Sequence, residues 1–425
     1  MLIDDAASDM VRAKQSCGGQ RPTVAAERGL DWLNLFVGNI QTGFGPFIAV
    51  YLTTQGWTQT GIGLALSLGT ITAMASQIPA GALVDASRSK AAVAGFSMLA
   101  FSVSALLFAV WPAPLSVYAA EILHGFSSCT LGPAIAAMSL IIAGPATLGL
   151  RLGRNARFAA IGSGVGAALM GACGYYLSER AVFFLTAAIA LPAIFALVPL
   201  ARLDDRSMPT PVRDEVAPVR RERLARLFSD RRLLIFALCA MLFTLANAAM
   251  LPLAGNVLTK RAADSASLLI AACIVLPQVM VALISPTIGE LAEARGRKLV
   301  LLLGFSMLPI RGLLFAILTS PIQLVLIQAL DGIAAACLGV LVPLVTSDIT
   351  GRSGRFNLSL GFIGLAIGSG ATASTGLAGW IADRFGTPTA FTFLAAMGLI
   401  AVLLVWSAMP ETRPQNQRRA HDTSR

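Results

Sequence analysis

The chain has 425 residues, of which 56% are hydrophobic and only 13% are charged. This composition is too apolar and too poor in charge for an ordinary soluble domain, so a soluble globular protein is excluded. The net charge of +10 would indicate a nucleic-acid partner only if it formed a patch on a soluble domain, so its distribution along the chain decides its meaning.

About 20 predominantly apolar residues are needed to cross a bilayer, and the chain contains twelve such stretches. They are long and lack the alternating pattern of barrel strands, so we predict helices, which satisfy their own backbone hydrogen bonds in lipid. In chain order the predicted spans run roughly from Leu30 to Thr53, Gly61 to Leu83, Ala91 to Trp111, Leu115 to Ile142, Phe158 to Leu177 and Ala181 to Leu200, and then from Leu233 to Leu258, Leu268 to Ile288, Leu299 to Thr319, Ile322 to Val345, Leu358 to Trp380 and Ala390 to Met409.

Basic residues are distributed very unequally between the two sides of the membrane that these spans define. With a cytoplasmic amino end, 27 of the 32 Lys and Arg residues lie on the cytoplasmic side, which follows the positive-inside rule. We therefore expect an integral protein of the cell (inner) membrane, in contact with the lipid bilayer, with both termini cytoplasmic. The expected layout is a tail at 1–28, a six-helix bundle at 29–200, a cytoplasmic linker at 201–232, a second six-helix bundle at 233–409 and a tail at 410–425.

One pattern occurs twice at nearly the same offset. The loop between the second and third spans, 81–90, returns between the eighth and ninth as 289–298. In the same way Glu121-Ile-Leu-His-Gly in the fourth span is echoed by Gln328-Ala-Leu-Asp-Gly in the tenth. The repeat predicts an all-α polytopic membrane protein in which two pseudo-symmetric six-helix bundles arose by duplication. Secondary transporters are built in this way, with substrate sites near the midplane between the repeats.

The loop 81–90, read as Gly-Ala-Leu-Val-Asp-Ala-Ser-Arg-Ser-Lys, resembles the signature between the second and third helices of the major facilitator superfamily. It departs from that signature at Ala86 and Arg88, and the second copy has Glu293 in place of the aspartate. The resemblance implies twelve helices and transport by alternating access. It also implies a gating role for both loops, through Gly81, Asp85, Arg88, Lys90, Gly289, Glu293, Arg297 and Lys298.

In this family the loop carboxylate faces the cytoplasmic start of the eleventh helix, so the resemblance implies the same for Asp85. An anion near a helix amino terminus is favourable by about 0.3 to 1 kcal/mol when exposed, and by more when partly buried. The contact would hold the cytoplasmic side closed. The alternative is that Asp85, Arg88 and Lys90 only fix the topology of the chain.

Ionisable residues inside spans are costly, so each one is a functional hypothesis. Arg311 in the ninth span and Asp331 in the tenth are each ten residues from Pro321 at the intervening turn, so antiparallel helices bring them to the same depth. We predict that they pair and that movement of Arg311 switches Asp331 between binding and releasing a proton. The arrangement is similar to that of lactose permease and related proton symporters. A static pair that fixes helix packing is the alternative.

Glu121 and His124 share one face of the fourth helix and are predicted to join the proton-coupling set. A histidine titrates in the physiological range, which suits a proton relay or a substrate anchor. A structural histidine is the alternative, and a metal site is another, although a single Glu-x-x-His pair lacks the further ligands that metal-dependent hydrolysis needs. The six cysteines have no metal-ligand or Cys-x-x-Cys spacing, so neither a metal nor another cofactor is expected.

Polar residues recur at helical spacing in the first span, and a thinner set lies in the seventh. In the family named above, helices one, four, seven and ten surround the central cavity, so these faces are expected to line water and contact a small-molecule substrate. The predicted cavity residues are Asp31, Asn34, Gln41, Thr42, Thr244, Asn247 and Gln328.

The leading interpretation is a carrier of a small organic solute that works by alternating access, coupled to protons and acting in efflux. No sugar or phosphate signature is visible, which favours efflux. The rivals are an uncoupled facilitator or exchanger, an intramembrane metal-dependent enzyme using Glu121 and His124, and a sensor that no longer transports. We expect a monomer and no nucleic-acid partner.

Overall fold

A computed structural model describes residues 24–413 apart from 43, 45, 58, 208–229, 262–265, 319 and 352–354. Most of the predicted linker and nearly all of both tails lie outside the described residues. Each of the twelve predicted spans corresponds to helix. The helices are Val24–Thr42, Pro46–Thr54, Gln59–Ala86, Lys90–Val110, Pro114–Tyr176, Glu179–Ser207, Arg231–Asn247, Met250–Arg261, Ala266–Arg295, Arg297–Ile317, Pro321–Thr350, Phe356–Phe385 and Thr387–Ala408.

The described part contains nine helical stretches that are long and apolar enough to cross a membrane. The longest of them, Pro114–Gly174, holds two spans, the fourth and the fifth. The first and second spans are not among the nine. The first consists of two helices, Val24–Thr42 and Pro46–Thr54, and the second is the helix Gln59–Ala86.

The chain reverses direction within the long helical stretch that carries the fourth and fifth spans. Gly144 has a φ of 67°, which glycine adopts readily, and Thr147 also departs from helical geometry. Asn155 Nδ2 donates to Ser139 Oγ at 2.7 Å. In a straight helix sixteen residues would separate them by about 24 Å, so the two parts lie side by side. The fifth span therefore begins well before the predicted Phe158.

The first span of each half is interrupted. In the amino-terminal half the first helix ends at Thr42 and the second begins at Pro46, with Phe44 between them. In the carboxy-terminal half the irregularity is slighter: one helix ends at Asn247 and the next begins at Met250, but Ala248 between them keeps helical dihedral angles. Broken spans are common where transporters bind their substrates, because the interruption places polar groups and loop backbone at mid-membrane depth.

Glycines hold the two halves in close contact at the end of the bundle that carries Arg88, Lys90, Arg297 and Lys298, here called the basic end. A Cβ atom at Gly81 would collide with the carbonyl of Asn357, and one at Gly289 would collide with the carbonyl of Gly149. Gly289 lies 208 residues after Gly81, and Asn357 lies 208 residues after Gly149, so the repeat relates the two contacts. The sequence repeat is therefore also a repeat of three-dimensional contacts.

Glycines toward the opposite ends of the fifth and eleventh spans make no such contact. A Cβ atom at Gly171 in the fifth span, or at Gly376 and Gly379 in the eleventh, would meet no described atom within 4 Å. The described conformation is consequently one in which the halves are joined closely at the basic end.

Candidate functional site

Arg311 is the centre of a polar cluster in the carboxy-terminal half. Its Nη1 donates to Asp331 Oδ1 at 2.6 Å and also to Asn247 Oδ1, while its Nη2 donates to Gln328 Oε1 at 2.6 Å. The guanidinium lies 5.5 Å from the ring centroid of Phe315. Three spans, the seventh, ninth and tenth, therefore meet at one cation.

Arg311 and Asp331 form an ion pair that is largely buried. Arg311 is 1% exposed, and the side chain of Asp331 is 19% exposed. An arginine in that position is stable because a carboxylate compensates its charge and amide oxygens accept its hydrogen bonds. Asp331 has the greater access to solvent, so a proton reaches it more easily than it reaches Arg311. The predicted pairing is present, and the role of the pair in proton coupling stays a prediction.

A second polar pair occupies the related position of the amino-terminal half. Glu121 is buried and its Oε2 lies 3.9 Å from Nδ1 of His124, beyond hydrogen-bond distance. The imidazole stacks on Phe44 with ring centroids 4.2 Å apart, and it meets Phe101 edge-on at 5.4 Å. No group of three or more histidine, cysteine, aspartate or glutamate residues able to hold a metal occurs among the described residues.

Asp31 lies in an ion-pair network near the basic end. Its two carboxylate oxygens accept hydrogen bonds from Arg151 and Arg154 of the fifth span. Arg151 Nε also donates to Asn155 Oδ1 at 2.8 Å. Asp31 is 3% exposed, so it joins the first and fifth spans and does not line water in this conformation.

We expect the Asp31→Asn variant to unfold more easily than the parent chain. The substitution leaves Arg151, itself buried, without its carboxylate, and breaking a buried pair from one side costs about 3 to 5 kcal/mol. Thermal unfolding of the purified protein in detergent measures the effect. Asp383→Asn, at an exposed position in the eleventh span, is the matched control, and equal unfolding temperatures for the two variants would contradict the expectation.

The other predicted cavity residues do not form a single face that lines water. Asn34 is buried and donates to the carbonyl of Leu30 within its own helix. Thr42 donates to the carbonyl of Gly38, and Gln41 is exposed. Thr244 lies 2.9 Å from the carbonyl of Ile367 in the eleventh span. Only Asn247 and Gln328 join the Arg311 cluster, because Asn34, Thr42 and Thr244 bond to backbone carbonyls and Gln41 is exposed.

Asp85 contacts the start of the eleventh span. Its Oδ1 accepts from the backbone N–H of Asn357 at 3.1 Å and from its Nδ2 at 2.7 Å, while Oδ2 accepts from the N–H of Leu358 at 2.8 Å. These N–H groups belong to the first turn of the helix, where no intrahelical acceptor exists. A carboxylate of one half therefore caps a helix of the other half.

Glu293 makes the corresponding contact in the opposite direction. Its Oε1 accepts from the N–H of Leu150, near the start of the fifth span, at 3.2 Å. Glu293 lies 208 residues after Asp85, and Leu358 lies 208 residues after Leu150. The two halves are thus joined by a pair of pseudo-symmetric caps, which we call the basic-end latches.

The basic residues of the two loops act within their own halves. Lys90 Nζ donates to the carbonyls of Val84 and Ser87 at 2.6 and 2.7 Å, so it caps the end of the second span. Arg297 is buried and pairs with Asp348 at 3.0 Å. Lys298 Nζ donates to the carbonyl of Trp406 at 2.8 Å, and Arg88 is exposed.

Sequence reasoning missed the partners of several of these groups. Arg151 and Arg154 looked like loop charges because the fifth span was predicted to begin after them. The Gly144-Pro145 dipeptide, a turn signal, would have placed the reversal correctly. Asp348, the partner of Arg297, lies three residues beyond the predicted end of the tenth span at Val345 and inside the observed helix Pro321–Thr350, and no motif distinguishes it.

Two pseudo-symmetric helical halves, joined at one end and each holding a buried ionisable cluster, define a secondary transporter. A sequence model described as the Major Facilitator Superfamily matches residues 32–276 and 259–424. The chain belongs to that superfamily, and it is a transporter, not an enzyme.

Curated relatives support this assignment over nearly the full length. An uncharacterized MFS-type transporter of Mycobacterium tuberculosis, found in strains H37Rv and CDC 1551, is 36% identical over 401 residues, which is 92% of this chain and 94% of the relative. Multidrug resistance protein 1 of Bacillus subtilis is 30% identical over 148 residues, which is 34% of this chain and 37% of that protein.

Solved structures share the fold at low sequence identity. The proton:xylose symporter XylE has a TM-score of 0.67 at 12% identity and covers 92% of this chain and 96% of its own. The human organic anion transporter MFSD10 has a TM-score of 0.65 at 15% identity, covering 91% and 99%. The nucleoside transporter NupG has a TM-score of 0.64 at 16% identity, covering 90% and 99%.

Proposed function

We propose that the protein is a proton-coupled efflux carrier of a small organic solute that works by alternating access. Protons and solute bind from a cavity between the halves, and the basic-end latches close one side of that cavity. Asp331 and Arg311 are the proton-coupling pair of the carboxy-terminal half. Glu121 and His124 occupy the corresponding site of the amino-terminal half.

The observation that carries the proposal is the buried contact between Arg311 and Asp331. The Asp331 carboxylate accepts a hydrogen bond from the guanidinium at 2.6 Å, so this contact has to be broken before the carboxylate is free to exchange partners. Asn247 belongs to a broken span and holds the same guanidinium, which gives the seventh span a direct means of moving it. Rocking of the halves would then make and break the contact between Arg311 and Asp331.

Two considerations support efflux. The chain has no dedicated sugar or phosphate signature, and about a third of it is similar to a multidrug resistance protein. We place the carrier in the cell membrane as a monomer with both termini cytoplasmic, so the basic end faces the cytoplasm. The two bundles then occupy 29–200 and 233–409, on either side of a cytoplasmic linker at 201–232.

Proteoliposomes test the coupling. A solute is first selected by its effect on the unfolding temperature across metabolites and drugs at two pH values. Its flux is then measured with and without an imposed pH gradient at constant membrane potential. A proton-coupled carrier accumulates the solute against its concentration gradient only when the pH gradient is present. Equal flux with and without the pH gradient would favour the alternative that the protein is an uncoupled facilitator.

A further inference from the structure

The two buried clusters differ in how their charges are compensated. Arg311 has a carboxylate partner and two amide oxygens as acceptors. Glu121 has no arginine or lysine within salt-bridge distance among the described residues, and its nearest titratable neighbour is His124 at 3.9 Å. The carboxy-terminal cluster is therefore neutral as a unit, whereas the amino-terminal cluster carries a negative charge whenever Glu121 is ionised and His124 is neutral.

Glu121 is also short of hydrogen bonds. Its side chain is 3% exposed, and Oε1 has no hydrogen-bond partner in the described part of the chain. A buried carboxylate oxygen without a partner costs free energy, and a bound ligand that brings a positive charge or a donor to it offsets that cost. Gly69 of the second span leaves space for the carboxylate, since a Cβ atom there would collide with Oε2.

Aromatic rings contact the imidazole of His124, which lies beside this carboxylate. His124, whose side chain is 23% exposed, stacks on Phe44 at an interplanar angle of 9°, and Phe101 stands edge-on to it. Phe44 lies at the break of the first span, so displacement of either helical segment moves the ring. Faces of aromatic rings attract cations, and their edges and faces pack against apolar groups.

Glu121 lies at the same depth as Gln328 of the Arg311 cluster. Each residue is the seventh after the proline that begins its span, Pro114 or Pro321, which places both about 10 Å from that helix end. The two clusters thus face a common level of the bundle.

We propose that Glu121, His124 and Phe44 form the binding site for an aromatic organic cation. The carboxylate pairs with the positive charge, and the Phe44–His124 stack receives the apolar body. This inference rests on the proposed function for the route by which the solute crosses, and it narrows the substrate class to cations. An anionic solute gains no net ion pair at Arg311, because Asp331 compensates that charge; Arg311 Nε and Gln328 Nε2, which have no hydrogen-bond partner in the described part of the chain, remain as donors for a polar group of the solute.

Equilibrium binding to the purified full-length protein tests the site without requiring transport. The probe is radiolabelled tetraphenylphosphonium, and tetraphenylborate, an anion of the same shape, is measured in a separate experiment because the two ions form an insoluble salt. We expect tetraphenylphosphonium to bind and tetraphenylborate not to bind. Because tetraphenylphosphonium has no hydrogen-bond donor, its attraction to Glu121 is that of opposite charges alone, and Glu121→Gln should weaken binding about tenfold or more.

Matched variants separate the site from general effects of charge or folding. Glu290→Gln removes an exposed glutamate of the eighth span and should bind the probe as the parent chain does. Phe44→Leu should weaken binding while leaving the preference for the cation intact. Unfolding temperatures of all variants show whether each is folded. If Glu121→Gln fails to fold, Glu121→Asp replaces it, and a smaller loss of affinity is expected.

Three results would overturn the proposal: equal affinity of the parent chain and Glu121→Gln, preference for tetraphenylborate, or no binding of either tetraphenylphosphonium or the smaller benzyltrimethylammonium. None of them bears on the response of flux to a pH gradient. Failure of the cation site and failure of proton coupling are therefore distinguishable.

Discussion

Asp331→Asn should abolish proton-driven accumulation of the solute while sparing its exchange across the membrane. Asparagine cannot release or bind a proton, so the variant has no means of using the pH gradient through this site. Its side-chain oxygen can still accept from Arg311, which preserves the geometry of the cluster. Since one pH unit corresponds to 1.36 kcal/mol per proton, a one-unit gradient sustains at most about tenfold accumulation per coupled proton, and this ratio should fall to about one.

The measurement is the steady-state concentration ratio of the solute in proteoliposomes under an imposed pH gradient, together with counterflow at equal pH. Asp383→Asn, which removes an exposed carboxylate, is the matched control and should accumulate solute normally. Uphill transport by Asp331→Asn at the parental level would remove Asp331 from the coupling mechanism.

Loss of charge at Asp331 also affects stability, and this effect must be separated from coupling. Arg311 stays 1% exposed in the variant but loses its compensating carboxylate. Removing one partner of a buried pair destabilises a protein by about 3 to 5 kcal/mol, although retention of the hydrogen bond lowers this cost. Because the protein is measured after reconstitution, normal counterflow shows that the variant is folded.

The contact between Arg311 and Asp331 could be predicted because it follows from counting alone. Both residues lie ten positions from Pro321 in helices joined by a short turn, so their depths agree whatever the details of packing. The partners of Asp31 could not be found in this way. Arg151 belongs to a span that is not adjacent in sequence, and its depth depends on where the chain reverses, at Gly144.

The polar residues that recur at helical spacing in the first span show a second limit of prediction from sequence. Helical periodicity predicts which residues share a face but not what that face contacts. Gly38 lies four residues after Asn34 on the same helix face, and a Cβ atom there would collide with the carbonyl of Ala159 in the fifth span. A polar face packed against another helix has the same sequence pattern as one that lines water, so only the structure separates them.

Asp85→Asn should weaken closure at the basic end and lower transport without lowering the amount of protein in the membrane. The carboxylate accepts three hydrogen bonds from Asn357 and Leu358, two of them from first-turn N–H groups. An asparagine amide keeps one acceptor oxygen and turns an N–H toward the same donors. A loss of about 2 kcal/mol would shift the equilibrium from the latched to the open form by a factor of about 30.

Spin labels at two exposed positions, Arg88→Cys and Arg295→Cys, report the separation of the halves through a distribution of distances. In Asp85→Asn the population at the longer distance should increase. Glu293→Gln is the matched control at the pseudo-symmetric position, and it should have a smaller effect because Glu293 accepts from Leu150 at the longer distance of 3.2 Å. Unchanged distances together with normal flux in Asp85→Asn would show that the cap only orients the chain, so the alternative role in topology would stand.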